Sequence, residues 1–366
     1  MTYVIIFLYT SILAGFLIRS KSSLVGCISI GVILATFAVL RGSDVTSDFT
    51  VYEDWYNNGD LGDGLLVRPG LFEYIYFLLN DLFSVNGIPF RFFIWFLAFI
   101  AVFIKTKVII SFAKSGWAVG VSVLIYVFTF YLLHEFTQIR VGLAAAFIFL
   151  AVRALVDGNR IHFALLVVLA AGFHSSAAIA LFLLLPYQGS RVRWIDRGLF
   201  VITGILVVLA TFGVAAGAAF VDVLIKFDPR LALYISLAEA GKSEAANPFS
   251  VSAVLMLALA LSLIGVEFNR VQISNSYEQD IYALVLVRRS ILIGLSFLVS
   301  LSSIPELAQR LFEFNIMLTP IIAAIFFSQS GWLLQKGLLL LWTSVIAYIF
   351  IFRAEGLVQP YDLFFS

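Results

Sequence analysis

The segment His134–Arg140 reads His-Glu-Phe-Thr-Gln-Ile-Arg and lies between two apolar runs, Gly116–Leu133 and Val141–Val152. A guanidinium at or inside the edge of a lipid bilayer costs about 2.5–3.5 kcal/mol on insertion scales, so a charge retained there indicates a function or a specific partner. One interpretation is that Arg140 binds the phosphates of a substrate. The other is that Arg140 reaches the membrane surface and pairs with Glu135.

Polar residues from separate apolar segments are predicted to meet on the outer side of the membrane, because each lies near the same end of its segment. Charges retained at a membrane edge often mark the path of a substrate, so this convergence is a functional signal. The set is Arg41, Asp44, Asp48, Tyr52, Glu135, Gln138, Arg140, His174, Glu306, Gln309 and Arg310.

The arginines of this set, Arg41, Arg140 and Arg310, each lie at the outward end of a predicted helix. A planar guanidinium can bind phosphate oxygens through two parallel hydrogen bonds, so together these residues predict a diphosphate site. The alternative is three separate salt bridges within the set. Those pairs would be Arg41–Asp44, Arg140–Glu135 and Arg310–Glu306.

His174 interrupts an apolar run together with Ser175 and Ser176. Since an imidazole titrates near neutral pH, His174 is a candidate general base or hydrogen-bond donor, although a histidine in such a run can also have only a structural role. The segment that begins at His134-Glu135 lacks the second histidine of a zinc protease motif, because Gln138 occupies that position. No glycine-rich phosphate loop, dinucleotide fingerprint or serine elbow is present.

The composition predicts an all-α polytopic membrane protein, since 62% of the 366 residues are hydrophobic and only 12% are charged. One cysteine, Cys27, and three histidines leave no disulfide framework and little for a metal site. Apolar runs predict about twelve crossings, some of them short or broken. Their ranges are 3–17, 24–40, 88–104, 116–133, 141–156, 161–173, 175–187, 198–220, 249–267, 290–304, 311–328 and 333–351.

We interpret 1–366 as one transmembrane domain with two outer loops, 41–87 and 221–248. The first loop is predicted to contain an amphipathic helix that carries Glu73. The polar trio at His174 predicts a bend within 161–187, and a helix broken at membrane depth is expected to line a cavity. The spacing of Gly116 and Gly120, and of Gly213 and Gly217, predicts close helix packing.

Lysines and arginines indicate the orientation of the chain. With both termini outside, more of the 23 basic residues fall on the inner side, where they crowd short loops, as the positive-inside rule expects. The inner set includes Lys105, Arg153, Arg288 and Arg289, which we place toward the inner ends of their spans.

Five short motifs follow one another along most of the chain. They are Arg41-Gly-Ser-Asp44 with Asp48 and Tyr52, Glu73 after a Pro-Gly turn, Gln138-Ile-Arg140, Phe173-His174-Ser175-Ser176, and Gln309-Arg310-Leu-Phe-Glu-Phe. In this order they resemble the EpsG branch of the Wzy-type polysaccharide polymerases, which make O-antigen or exopolysaccharide. The family spacing of acid, aromatic, two residues and tyrosine is matched by Asp48-Phe49 and Tyr52, so Asp44 is an additional acid.

The resemblance implies a GT-C-like, metal-independent glycosyltransferase without a cofactor, in the bacterial inner membrane, with its site facing the periplasm. It would transfer a growing glycan from undecaprenyl diphosphate to the next lipid-linked oligosaccharide. Its partners would be these lipid-linked oligosaccharides, membrane lipid and a chain-length regulator, with no nucleic acid. The residues implied are His174, Asp48, Asp44 and Glu135 for catalysis, Arg41, Arg140, Arg310 and Gln138 for the diphosphate, and Tyr52, Trp55, Tyr56 and Glu73 for sugars.

A transporter or a flippase of a lipid-linked or anionic substrate is the alternative function, because broken helices and charges at a membrane rim also build substrate pathways. A transporter would be expected to place its polar residues near the midplane. A flippase would be expected to carry charges along a groove through the bilayer. The polar set lies mostly on one side, which favours the polymerase.

Overall fold

The computed structural model describes residues 2–19, 23–58, 73–185, 190–212, 246–264 and 278–352, together with 232, 235 and 236. All regular elements in these ranges are helical, which confirms the all-α prediction. The α-helices are α1 (Thr2–Arg19), α2 (Ser23–Val39), α3 (Ser47–Asn58), α4 (Tyr74–Val85), α5 (Phe90–Phe112), α6 (Gly116–Tyr126), α7 (Ile139–Val156), α8 (Arg160–Ala171), α9 (Ser190–Thr211), α10 (Val251–Ser262), α11 (Glu278–Ser300), α12 (Pro305–Ile316), α13 (Thr319–Phe327) and α14 (Leu333–Phe352).

Apolar helices of membrane-spanning length confirm a polytopic membrane protein. About 20 residues are needed to cross the hydrocarbon core. Five stretches are long and apolar enough by this measure, and further apolar helices have 10–17 residues. The long stretches are Phe90–Phe112, Ile139–Val156, Trp194–Thr211, Glu278–Ser300 and Pro305–Phe327. The total of about twelve crossings stays a prediction.

The chain forms two compact units. The first comprises Met1–Ala177 and Pro320–Ser366, and the second comprises Ala178–Thr319. Within the first unit, α2 packs on α5, α1 on α6, α5 on α7, and α7 on α8. Within the second, α11 packs on α9, α10 and α12. Most of the predicted outer loop 221–248 lies outside the described residues.

Helices α1 and α6 approach each other through glycines. A Cβ atom on Gly15 would lie 3.1 Å from the carbonyl oxygen of Gly116, and one on Gly120 would lie 3.1 Å from the carbonyl oxygen of Ser11. Because the backbones almost touch, larger side chains would separate the two helices. The predicted close packing at Gly116 and Gly120 is therefore confirmed, whereas Gly213 and Gly217 lie outside the described residues.

The chain leaves α-helical geometry before it reaches Arg140. After α6 it continues as a π-helical segment, Val127–Tyr131, and then as turns up to α7. The Phe136 N–H donates to the Tyr131 carbonyl at 3.0 Å, five residues back. Such π-type segments inside helices occur frequently at functional sites. The predicted span over 116–133 therefore consists of an α-helix, a π-helical segment and the first turn residues after it.

Segment 161–187 is broken where the sequence predicts a bend. Helix α8 ends at Ala171, and a 3-10 helix occupies Ser175–Leu184. The His174 N–H donates to the Ala170 carbonyl at 3.0 Å and closes the last turn of α8. The break therefore places the His174 side chain at a helix end.

Arg288 and Arg289 lie in the middle of α11, which begins at Glu278 instead of near residue 290. Both are buried, and both donate to the buried carboxylate of Asp196 on α9. Asp196 offsets the cost of burying guanidinium charge, so the helix can continue through both arginines. Their predicted position toward the inner end of a span is wrong.

Candidate functional site

The carboxylate of Glu73 joins two other predicted site residues in the first unit. Its Oε2 atom accepts a hydrogen bond from Nη1 of Arg140 at 2.6 Å. Its Oε1 atom lies 3.0 Å from Nδ1 of His174 and accepts a bond from the Ser175 N–H at 3.4 Å. The Glu73 side chain is 0% exposed, so these groups replace water around its charge. We call Glu73, Arg140 and His174 the Glu73 cluster.

The backbone around Glu73 links α4 to the end of α8. The Glu73 N–H donates to the Ala171 carbonyl at 3.2 Å, and the Ile75 N–H donates to the Gly172 carbonyl at 2.9 Å. Glu73 has a φ of 70°, a left-handed conformation that costs on the order of 1–3 kcal/mol for a residue with a side chain. Glu73 thus occupies the N-cap position before α4, and the prediction that the amphipathic helix carries Glu73 is wrong.

Aromatic rings of α3 and α4 surround Arg140. Its Cζ atom lies 4.6 Å from the ring centroid of Trp55 and 5.6 Å from those of Tyr52 and Tyr76. These contacts stabilise a buried guanidinium through its attraction to the ring faces. Burial raises the pKa of the Tyr52 phenol, although the Arg140 charge acts in the opposite direction, so the hydroxyl stays neutral.

Five predicted site residues therefore meet: Glu73, Arg140, His174, Tyr52 and Trp55. Gln138 occupies the N-cap position of α7, but its side chain makes no capping hydrogen bond. Asp48 lies in the first turn of α3. Asp44 lies in a short 3-10 helix, Ser43–Val45, and its side chain is outside the described part.

Tyr56 and Arg41 are both held by aromatic and backbone contacts. The Tyr56 hydroxyl donates to the Ile88 carbonyl at 2.5 Å. The Arg41 guanidinium lies between the rings of Phe49 and Phe136, at 4.6 and 4.5 Å from their centroids, and donates to the Ala38 carbonyl. These contacts hold the buried Arg41 side chain in place.

Glu135 pairs with Lys105, which contradicts the proposed Arg140–Glu135 salt bridge. The Lys105 side chain is 1% exposed and that of Glu135 is 0% exposed. Nζ of Lys105 also lies 3.5 Å from Nδ1 of His134. Lys105 is therefore buried within the last third of α5, where the Glu135 carboxylate neutralises it. Its placement toward the inner end of a span stays a prediction.

Glu306, Gln309 and Arg310 lie on α12 in the second unit. The Gln309 side chain donates to Oε1 of Glu313, one helical turn later, at 2.9 Å. Their predicted convergence with the Glu73 cluster stays a prediction.

Sequence reasoning missed Tyr76 and the partner of Glu135. Tyr76 stands in an aromatic run, Tyr74-Ile-Tyr76-Phe, where nothing distinguishes one ring from its neighbours. Lys105 is followed by Lys107, and two lysines so close together resemble the end of a span. A lysine preceded by fifteen residues of predominantly apolar helix was the available signal. Within the described ranges, no group of three or more His, Cys, Asp or Glu residues could hold a metal ion.

Comparisons with known proteins give one match. No curated protein and no solved structure matches the chain significantly. A model of the EpsG family matches residues 23–363, which is nearly the whole chain and includes every member of the Glu73 cluster. The chain therefore belongs to the EpsG family.

Proposed function

We propose that this protein is a polysaccharide polymerase that transfers a growing glycan from undecaprenyl diphosphate to a lipid-linked repeat unit. Membership of the EpsG family supports the polymerase role. The observation that carries the chemical assignment is the Glu73 carboxylate, which contacts the His174 imidazole through one oxygen and the Arg140 guanidinium through the other.

His174 is the general base of this proposal. In this proposal the Glu73 carboxylate, whose Oε1 atom lies 3.0 Å from Nδ1, would accept the Nδ1 proton. It would thereby fix the tautomer in which Nε2 is the proton acceptor, and it would stabilise the imidazolium that forms. The acceptor hydroxyl would give its proton to Nε2 while its oxygen bonds to the anomeric carbon. The bond from that carbon to the phosphate oxygen would break, and the diphosphate would leave with the electron pair.

The same geometry favours His174 over the other candidate bases. The Glu135 carboxylate forms a salt bridge with Lys105. Asp48 lies in the first turn of α3. Asp48 and Asp44 are the next candidates for the base.

Arg140 would stabilise the leaving diphosphate. A guanidinium has five N–H donors and stays charged at all physiological pH values. Glu73 uses one donor on Nη1, whereas Nε is buried and has no hydrogen-bond partner among the described residues. Arg41, Arg310 and Gln138 would complete the diphosphate site, and Tyr52, Trp55 and Tyr56 would offer faces to the sugars.

The finer features follow from the same proposal. The fold would be a GT-C-like bundle of about twelve spans in the bacterial inner membrane. The site would face the periplasm and need no metal, and a chain-length regulator would act as a partner. A protein with this role would bind lipid-linked oligosaccharides on the side where flipped repeat units arrive.

The test of this function is the glycan made by cells that lack the protein and by the purified protein. We expect the deletion strain to accumulate single repeat units on lipid at the periplasmic face, with no polymer. Purified protein should extend lipid-linked repeat units without a nucleotide or ion gradient. Repeat units retained on the cytoplasmic face would instead indicate a flippase, and an absence of extension in vitro would contradict the proposal.

Orientation is tested by cysteine labelling in a Cys27→Ser background. Single cysteines at Gly64, Glu244 and Asp362 should react with an impermeant thiol reagent on cells with a permeabilised outer envelope. Cysteines at Asn159 and Asn275 should not react. Labelling of Asn159, at the start of α8, would overturn the orientation of the first half of the chain.

A further inference from the structure

Tyr76 is a fully buried tyrosine whose hydroxyl has no hydrogen-bond partner within the described residues. A buried hydroxyl without a partner costs about 1–3 kcal/mol, a cost that phenylalanine would avoid. Its ring centroid lies 5.6 Å from Cζ of Arg140 and 6.0 Å from that of Tyr52. The hydroxyl lies within the electrostatic influence of both the Arg140 charge and the Tyr52 phenol. It therefore belongs to the surroundings of the Glu73 cluster.

Arg140 adds a second donor without a partner beside this hydroxyl. Its Nε atom is buried and makes no hydrogen bond to the described residues, whereas Nη1 is bound by Glu73. Arg140 is the second residue of α7, where the positive end of the helix dipole favours an anion. The Gln138 side chain does not cap this helix end. Two buried donors, the Tyr76 hydroxyl and Nε of Arg140, therefore belong to side chains in contact near the N-terminus of α7.

We infer that the Tyr76 hydroxyl and the Nε–H of Arg140 bind the same phosphate oxygen of the substrate diphosphate. This inference rests on the proposed function and adds Tyr76 as a substrate-binding residue. Tyr76 would donate its proton in a hydrogen bond and would not transfer it. The Glu73 carboxylate holds the guanidinium from the Nη1 side and thereby directs its Nε side to the phosphate.

The decisive variant is Tyr76→Phe, because it removes one oxygen atom and keeps the packed ring. Tyr126→Phe is the control, since Tyr126 is also a fully buried tyrosine, but it packs against Lys105 and not against Arg140. Both variants and the wild type would be melted with and without inorganic pyrophosphate. Polymerisation would be measured separately with lipid-linked repeat units.

We expect Tyr76→Phe to melt at or above the wild-type temperature without pyrophosphate, because it loses an unsatisfied hydroxyl. Its affinity for pyrophosphate should fall about tenfold or more, the effect of losing one hydrogen bond to a charged group. The KM for the diphosphate donor should rise by a similar factor. Tyr126→Phe should bind pyrophosphate as the wild type does.

Three results would overturn the inference. They are a wild-type protein that pyrophosphate does not stabilise, a Tyr76→Phe variant that binds pyrophosphate normally, and a Tyr76→Phe variant that melts below the wild type without ligand. The last result would show that the hydroxyl is already satisfied in the folded protein. Pyrophosphate binding is independent of turnover, so an inactive wild type that still binds it through Tyr76 would contradict only the proposed function.

Discussion

Glu73 and Arg140 are 67 positions apart in the chain, and yet Nη1 of Arg140 lies 2.6 Å from Oε2 of Glu73. The carboxylate also contacts His174, so it connects the residue proposed to bind phosphate to the residue proposed to accept a proton. A change at Glu73 therefore affects both roles. This coupling distinguishes the cluster from three independent salt bridges.

We expect Glu73→Gln to lower polymerisation by at least a hundredfold while the protein still inserts in the membrane. The neutral amide would lose the ion pair with Arg140 and would no longer stabilise an imidazolium at His174. The measurement is polymer formed by purified protein at matched concentrations. Asp54→Asn, an exposed carboxylate on α3, is the control and should keep normal turnover. Turnover by Glu73→Gln within a few-fold of wild type would contradict a catalytic role for the cluster.

His174→Ala is expected to abolish polymer in cells without lowering the protein level. The imidazole contacts a buried carboxylate at a helix break, where an apolar residue would be less costly if only packing mattered. The measurement is glycan length by gel electrophoresis, together with immunoblotting of the membrane fraction. His162→Ala, an exposed histidine on α8, should leave the glycan unchanged. Unchanged glycan length in His174→Ala would move the search for the base to Asp44 and Asp48.

Arg140→Lys separates phosphate binding from simple ion pairing. Lysine keeps the charge and can pair with Glu73, but it loses the Nε donor and the planar fork, so we expect turnover to fall at least tenfold. Arg310→Lys should fail for the same reason if Arg310 also binds the diphosphate. Arg153→Lys is the control, because Arg153 lies on the same helix and pairs with Asp157 one turn later. Near-normal turnover by Arg140→Lys would contradict the diphosphate role.

We expect the free energy of unfolding to depend on whether the charges of Lys105 and Glu135 balance each other. Lys105→Met alone leaves a buried carboxylate without a partner and should destabilise the protein by about 3–5 kcal/mol. The double variant Lys105→Met with Glu135→Leu removes both charges and should recover most of this loss. Unfolding in detergent measures both, with Lys107→Met, an exposed neighbour on α5, as the control. A double variant as unstable as the single one would show that the polar pair itself is needed.

The sequence predicted helices well because hydropathy follows the membrane, and it predicted the break at His174 because three polar residues interrupt an apolar run. It did not predict the partners of the charges. Lys105 and Glu135 are 30 positions apart, and Arg288 and Asp196 are 92 apart, so no local pattern relates them. The left-handed backbone of Glu73 was equally hidden, since a glutamate rarely adopts it and the contact with the Ala171 carbonyl comes from a distant part of the chain.

Helix α8 has only twelve residues, which corresponds to a length of about 18 Å. A bilayer core is about 30 Å thick, so a helix of this length whose charged end at Arg160 lay at one surface would fall short of the opposite surface by about 12 Å. Its other end holds the break at His174. Hydrophobic mismatch of this kind is relieved when lipids thin around the protein. The diphosphate head group of a substrate would then be drawn toward the bilayer centre, and long-chain lipids that resist thinning should slow the enzyme.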